Sequence, residues 1–388
     1  MAKRTTKKKP VLKKLPSEKS APPLQTYDPQ IPLTSVIGQH HAMDILNRSM
    51  QSQRVHHAWI FHGPTGVGKF TSAIAWASTI LDPTSTPDLS GNIVPDPESS
   101  TQQLIRSQTH PDLHIIRKEM ARYHHDSKVR SAKLASIPKA IVEEHLINPA
   151  ALAASMKSTS LVSKVFIVDE SELLNSQTQN AILKTLEEPP PGTVIILVTS
   201  NEDRLLPTIR SRCQRVAFAP LDDDAMRAWI ASTSLEPTPE EHQWLLSTSN
   251  GSPGRYKEAH EAGIYQWSTD LEPLFMQCDQ GRYPLTLGPR MNQLVDDWAK
   301  DWVKQGEKIG ENRSKLVANQ LGTQHMLSLI AGRYRKQLTV ASKAHRALHA
   351  IDMVGRAQHE LNTNVHGPPR GRTLRRNPLA GLIQNPLN

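Results

Sequence analysis

One octapeptide limits what this chain can fold into more than any other stretch: Gly63-Pro64-Thr65-Gly66-Val67-Gly68-Lys69-Phe70. Its glycines and lysine meet the pattern G-x-x-x-x-G-K-[ST], a loop whose backbone N–H groups cradle phosphates. Residues 55–62 before it read as a buried strand. Residues 71–80 after it read as a helix, rich in alanine with Ile74, Trp76 and Ile80 as bulk. Strand, glycine loop and helix in that order aim backbone donors and a helix N-terminus at an anion. Lys69 would reach the outer phosphates as a point charge. The alternative is a glycine-rich turn with an accidental lysine. Phe70 breaks the pattern at its last position, because a phenyl ring cannot ligate a hard cation that wants oxygen. Thr71 does not repair this, since one residue further along a helix is rotated by about 100°.

A second motif strengthens the first. Val165-Phe166-Ile167-Val168 runs straight into Asp169-Glu170. Four apolar residues leading into two carboxylates read as a central parallel strand ending at the sheet edge where ligands bind in open α/β folds. Asp169 would hold Mg²⁺ through water and Glu170 would orient an attacking water. Such a run is weak alone and strong about one hundred residues after a phosphate loop.

Further along, Ile182, Leu183 and Leu186 form a helical stripe that Pro189 to Pro191 terminate, and residues 193–199 read as another buried strand. Leu183-Lys184-Thr185-Leu186-Glu187-Glu188-Pro189-Pro190, the segment 206–209 and Ser211-Arg212-Cys213 resemble the AAA+ clamp-loader subunits of bacterial DNA polymerase III. Val36-Ile37-Gly38-Gln39 and the His56-His57-Ala58 strand resemble that family's opening. The resemblance runs from about residue 34 to 364 and is densest between 162 and 216. It implies an α/β fold: a P-loop AAA+ module, a parallel sheet flanked by helices, with a helical lid and a C-terminal all-α collar. It implies that Arg212 is an arginine finger offered to a neighbouring subunit, where a guanidinium stabilises charge on a transferring phosphoryl group. It further implies a sensor role for Ser200 and, through Asn250-Gly251-Ser252-Pro253-Gly254-Arg255, a place for Arg255 near the γ-phosphate. His110-Pro111-Asp112-Leu113-His114 and Leu361-Asn362-Thr363-Asn364 match softer family segments.

Two departures matter. Many gamma and delta-prime subunits carry a four-cysteine zinc module after the phosphate-loop helix, but this chain has only Cys213 and Cys278, so no zinc is expected. Residues 82–100 are instead rich in Pro, Ser, Thr and Asp and read as an exposed loop. Phe70 is the other departure. Delta-prime subunits often have degraded phosphate loops, so Phe70 favours delta-prime over the gamma/tau motor. Intact Asp169-Glu170 keeps ATP and Mg²⁺ open as ligands.

The chain of 388 residues has room for several cores. The expected division is a basic lead-in at 1–33, the nucleotide-binding module at 34–218, the lid at 219–262, a helical collar at 263–364 and a basic tail at 365–388. Helical material is expected over 132–156. Met226, Trp229, Trp244 and Leu245 would anchor the lid; Met326, Leu327, Leu329 and Ile330 the collar, with Leu348, Ile351 and Val354 continuing its stripe. Cys213 reads as a small buried residue. Two cysteines and no secretory signal fit a reducing cytoplasm, and no apolar run approaches the ~20 residues that span a bilayer. The net charge of +9 lies mainly in the ends: +7 in the first twenty residues and +4 from residue 363 onward, which leaves the body at −2. Those ends read as disordered tails, able to touch DNA or simply to solubilise.

Three functions follow. The first is a delta-prime subunit in a hetero-oligomeric ring with gamma/tau and delta, acting on the sliding clamp and primed DNA with weak or absent ATPase of its own. The others are a gamma/tau motor and a non-enzymatic scaffold derived from the same fold.

Overall fold

A computed structural model describes residues 33–363, apart from 53, 131–135, 157–159, 161, 283, 309–312 and 339. Residues 1–32 and 364–388, which include the two basic tails, lie outside the described residues.

The chain enters through α1 (His40–Gln51), β1 (Ala58–His62) and α2 (Lys69–Leu81). A small antiparallel pair, β2 (Thr86–Pro87) and β3 (Ile93–Val94), precedes α3 (Ser100–Arg106) and β4 (Leu113–Ile116). The short helices α4 (Ser127–Arg130), α5 (Lys139–Val142) and α6 (Asn148–Ala151), the last two joined by a π turn, lead to β5 (Lys164–Val168). Next come α7 (Ser176–Glu187), β6 (Thr193–Thr199), α8 (Pro207–Arg210) and β7 (Gln214–Ala217). The rest is helical: α9 (Asp223–Ala231), α10 (Pro239–Ser249), α11 (Pro253–Glu261), α12 (Ile264–Asp279), α13 (Leu287–Lys308), α14 (Lys315–Gln337) and α15 (Ala341–Thr363).

The five main strands form one parallel sheet in the order β4-β5-β6-β1-β7. Helices cover both faces, so the inner strands are apolar without alternation. Alternate residues nevertheless go opposite ways. Trp59, Phe61, Val165 and Ile167 face α1 and α2, whereas Ala58, Ile60, Phe166 and Val168 face α5, α7 and α8. Trp76 of α2 meets Trp59 edge-on at 4.8 Å and Phe61 at 6.1 Å, all three fully buried; each such pair contributes about 0.5–1.5 kcal/mol beyond area burial. This P-loop AAA+ architecture continues into a lid built on Leu221, Met226, Leu245 and Tyr256. The C-terminal helices close around Trp267, Leu271, Phe275, Met291, Met326, Leu327 and Ile330.

Four expectations need correction. The first strand starts at Ala58 rather than Val55: the rings of His56 and His57 stack at 4.4 Å ahead of it, and the His57 carbonyl makes the first bond to β6 by accepting from the Ile195 N–H at 2.8 Å. Residues 82–100 are not merely a loop: they contain the β2–β3 pair, and buried Asp82 accepts from Ser99, Gln102 and Thr84. Leu348 is 63% exposed, whereas Ala347 and Val354 of α15 are buried. The strand ending at Asp169 lies second in the sheet, with β6 at its centre.

Candidate nucleotide site

Parallel pairing gathers the expected site residues at one edge of the sheet. The C-terminal ends of β1, β5 and β6 deliver Gly63, Asp169 and Ser200 in turn, and β4 delivers Arg117. That edge is where open α/β sheets bind ligands.

The loop Gly63, Pro64, Thr65, Gly66, Val67, Gly68 and Lys69 links β1 to α2. Val67 is buried, and its carbonyl accepts from the Gln39 side chain at 3.1 Å, while Gln39 also bonds Ala219 in both directions. Lys69 turns inward, its Nζ donating to the carbonyls of Gly63 at 2.7 Å and Pro64 at 2.5 Å. Burial pulls its pKa down to about 8, against the raising influence of Glu172 and Asp169. The lid rests directly on this loop: Gly254 N–H donates to the Gly66 carbonyl at 2.8 Å and Ser252 Oγ to the Thr65 carbonyl at 2.9 Å. The approach needs glycine on both sides, since a Cβ on Gly66 would lie 2.5 Å from Ser252 Oγ and one on Gly254 2.7 Å from the Gly66 Cα. Arg255 follows in the first turn of α11; burial lowers its pKa and Arg335 lowers it further.

The acidic pair is already partnered. Ile116 is in register with Val168, which brings Arg117 beside Asp169 and Lys118 beside Glu170. Arg117 Nε lies 3.3 Å from Asp169 Oδ2, and Lys118 Nζ lies 2.7 Å from Glu170 Oε2. Burial raises the Asp169 pKa to about 6, a push that the Arg117 charge opposes and Glu170 reinforces. Glu170 has φ of 50°, a left-handed conformation uncommon for a residue with a side chain. The same guanidinium of Arg117 lies over the Phe70 ring, 4.1 Å from its centroid. Ser200 donates through Oγ to Glu172 Oε1, and its backbone N–H reaches the same oxygen at 3.1 Å. Glu172 Oε2 is buried without a hydrogen-bond partner.

Arg117, Lys118, Glu172 and Gln39 were missed as site residues by sequence reasoning. A signal existed for the first two, a basic dipeptide just after an apolar run, but its meaning depends on which strand lies alongside.

Arg212 is not among these residues. It follows α8 and precedes β7, whose first residue pairs with Trp59 near the start of β1. It therefore sits toward the N-terminal edge of the sheet. The five residues of β1 separate that edge from the loop, roughly 15 Å at strand rise. Its Nη2 lies 2.7 Å from Glu187 Oε1, its Nη1 donates to the Thr208 carbonyl at 2.9 Å, and the side chain remains 36% exposed. Cys213 beside it is half-buried against the core, and burial pushes its thiol pKa up to about 12.

Among the described residues, His124, His125 and Glu144 have ligand atoms close enough for a metal. His124 Nδ1, however, accepts from the Asp126 N–H at 3.0 Å. That fixes the proton on Nε2, which faces Glu144 at 3.1 Å as a hydrogen-bond donor rather than as a ligand.

Fold and loop together define a P-loop module of the AAA+ class. Residues 38–222 match the family described as DNA polymerase III, delta subunit. The chain is 30% identical over 251 residues to DNA polymerase III subunit delta′ of Pseudomonas aeruginosa, covering 63% of this chain and 70% of that one. It is 29% identical over 201 residues to the delta′ subunit of Bacillus subtilis, covering 51% and 53%. To the gamma/tau subunit of Mycobacterium bovis it is 28% identical over 203 residues, covering 50% and 30%. The chain belongs to the delta-prime family of DNA polymerase III subunits. No helix among the described residues is long and apolar enough to cross a membrane.

Proposed function

We infer that the chain is the delta-prime-type subunit of a clamp loader. In this reading it joins gamma/tau and delta subunits in a cytoplasmic AAA+ ring, which uses ATP to open the sliding clamp and set it on primed DNA. Arg212 is the arginine finger toward a neighbour's ATP. The chain's own loop, with Lys69, Ser200 and Arg255 around it, contributes little or no hydrolysis. One observation carries the reading: Arg212 lies about a third exposed, held by Glu187, at the sheet edge opposite its own phosphate loop, so its guanidinium is placed toward a neighbouring subunit rather than toward this loop.

The test is reconstitution with gamma/tau and delta. Arg212→Ala should assemble normally and lose ATPase and clamp-loading activity; a ring with unchanged turnover would remove Arg212 from the mechanism. The motor reading is favoured by the intact Gly63–Lys69 loop and Asp169-Glu170. It requires Phe70→Thr to change turnover little. Under the scaffold reading, the chain binds no nucleotide.

A further inference from the structure

A divalent cation in a phosphate loop of this kind needs oxygen. Mg²⁺ takes near-octahedral oxygen ligands at about 2.0–2.1 Å and keeps several waters. The residues here do not fit it. Position 70 offers the face of a ring, and the guanidinium of Arg117 covers that face at 4.1 Å. The same guanidinium is paired to Asp169, the carboxylate that would turn toward the metal. Glu170 is likewise paired, to Lys118.

The two features belong together. Replacing a hydroxyl by a phenyl ring removes a ligand from the metal and supplies a platform for a planar cation. Guanidinium is the cation suited to that place, because it stacks on a ring, pairs with carboxylate and stays charged at every working pH. Strand register delivers it from β4, directly beside β5. A positive charge is thus held against Phe70, in the first turn of α2, and beside Asp169, where the fold would otherwise gather one from solution.

We propose that Arg117, stacked on Phe70 and paired with Asp169, is a built-in replacement for the divalent cation, so that the loop takes the phosphates of a nucleoside triphosphate without Mg²⁺. Lys69 exchanges its two loop carbonyls for phosphate oxygens, and Arg117 balances the remaining charge. A guanidinium has no exchangeable coordination positions with which to bind and orient a water, so the nucleotide is held and not cleaved. This rests on reading Gly63–Lys69 as a phosphate cradle and is independent of the role given to Arg212.

The test is calorimetric titration of ATP into the full-length chain, in magnesium buffer and in EDTA. The wild-type protein should bind at least as tightly in EDTA as in magnesium. Arg117→Ala should weaken binding in EDTA by about ten-fold or more, the loss expected for one charge-assisted contact to phosphate. The double variant Phe70→Thr/Arg117→Ala should regain affinity only when Mg²⁺ is added. Wild-type binding that requires Mg²⁺ would overturn the proposal, and so would no binding in either buffer. The second result would leave the arginine-finger reading standing, since that is measured on the ATPase of the assembled ring. The wild-type comparison involves no substitution, so a variant that fails to fold cannot shield the proposal.

Discussion

The two edges of the central sheet treat their arginines in opposite ways. At the C-terminal edge Arg117 is enclosed between a ring and a carboxylate, Lys118 is paired and Lys69 is folded onto its own loop. At the N-terminal edge Arg212 stands a third exposed, held by Glu187 and the Thr208 carbonyl. One edge therefore uses its cations internally, and the other presents one outward. The contrast suits a subunit whose own site is quiet and whose contribution to hydrolysis is made elsewhere, and it can be broken from either side.

The largest effect is expected at the exposed edge. Arg212→Ala should lower turnover at the site it serves by about 100-fold or more, in keeping with what arginine fingers contribute, with the melting temperature of the isolated chain nearly unchanged; steady-state ATPase of the reconstituted ring reads this. At the enclosed edge, Gly66→Ala puts a Cβ against Ser252 at a φ of +79°. It should destabilise the chain by about 1–3 kcal/mol, seen as a lowered denaturant midpoint and faster proteolysis within the lid.

A third prediction concerns pH. The folded-state pKa of Asp169 is about 6, above its usual value of 3.8. The folded chain thus holds this proton more tightly than the unfolded one. The cost of ionising Asp169 is absent below about pH 4, grows between pH 4 and 6, and is complete above 6. Asp169→Asn should remove that cost, so its stability relative to wild type should rise by roughly 3 kcal/mol between pH 4 and pH 7, on top of a constant loss from breaking the pair with Arg117. Denaturant unfolding of both forms across this range checks it; a difference independent of pH would contradict it. The smallest effect is Glu187→Ala, which frees Arg212 without removing it: roughly a two- to three-fold fall in ring ATPase, as for a partly exposed pair.

Much of this contrast was legible in the sequence, and the missing part has a physical reason. The loop, its flanking helix and the strands ending at Asp169 and Thr199 followed from local pattern, because buried parallel strands are short apolar runs and the loop is contiguous. Phe70 was visible as a departure and read as a lost ligand. Its partner was not visible, since Arg117 lies 47 residues further along and becomes a neighbour only because β4 pairs with β5. Glu172 was hidden for the same reason, as its contact with Ser200 bridges the ends of two strands. Leu348 failed in the other direction: helical spacing put it on the apolar stripe of α15, but it is 63% exposed while its neighbour Ala347 is buried.

We infer that this chain's own phosphate loop does not turn over ATP. ATP hydrolysis by the purified full-length chain alone, beside its Lys69→Ala variant, tests it most directly. Neither should show turnover above background. Robust hydrolysis by the wild-type chain that disappears in Lys69→Ala would contradict it.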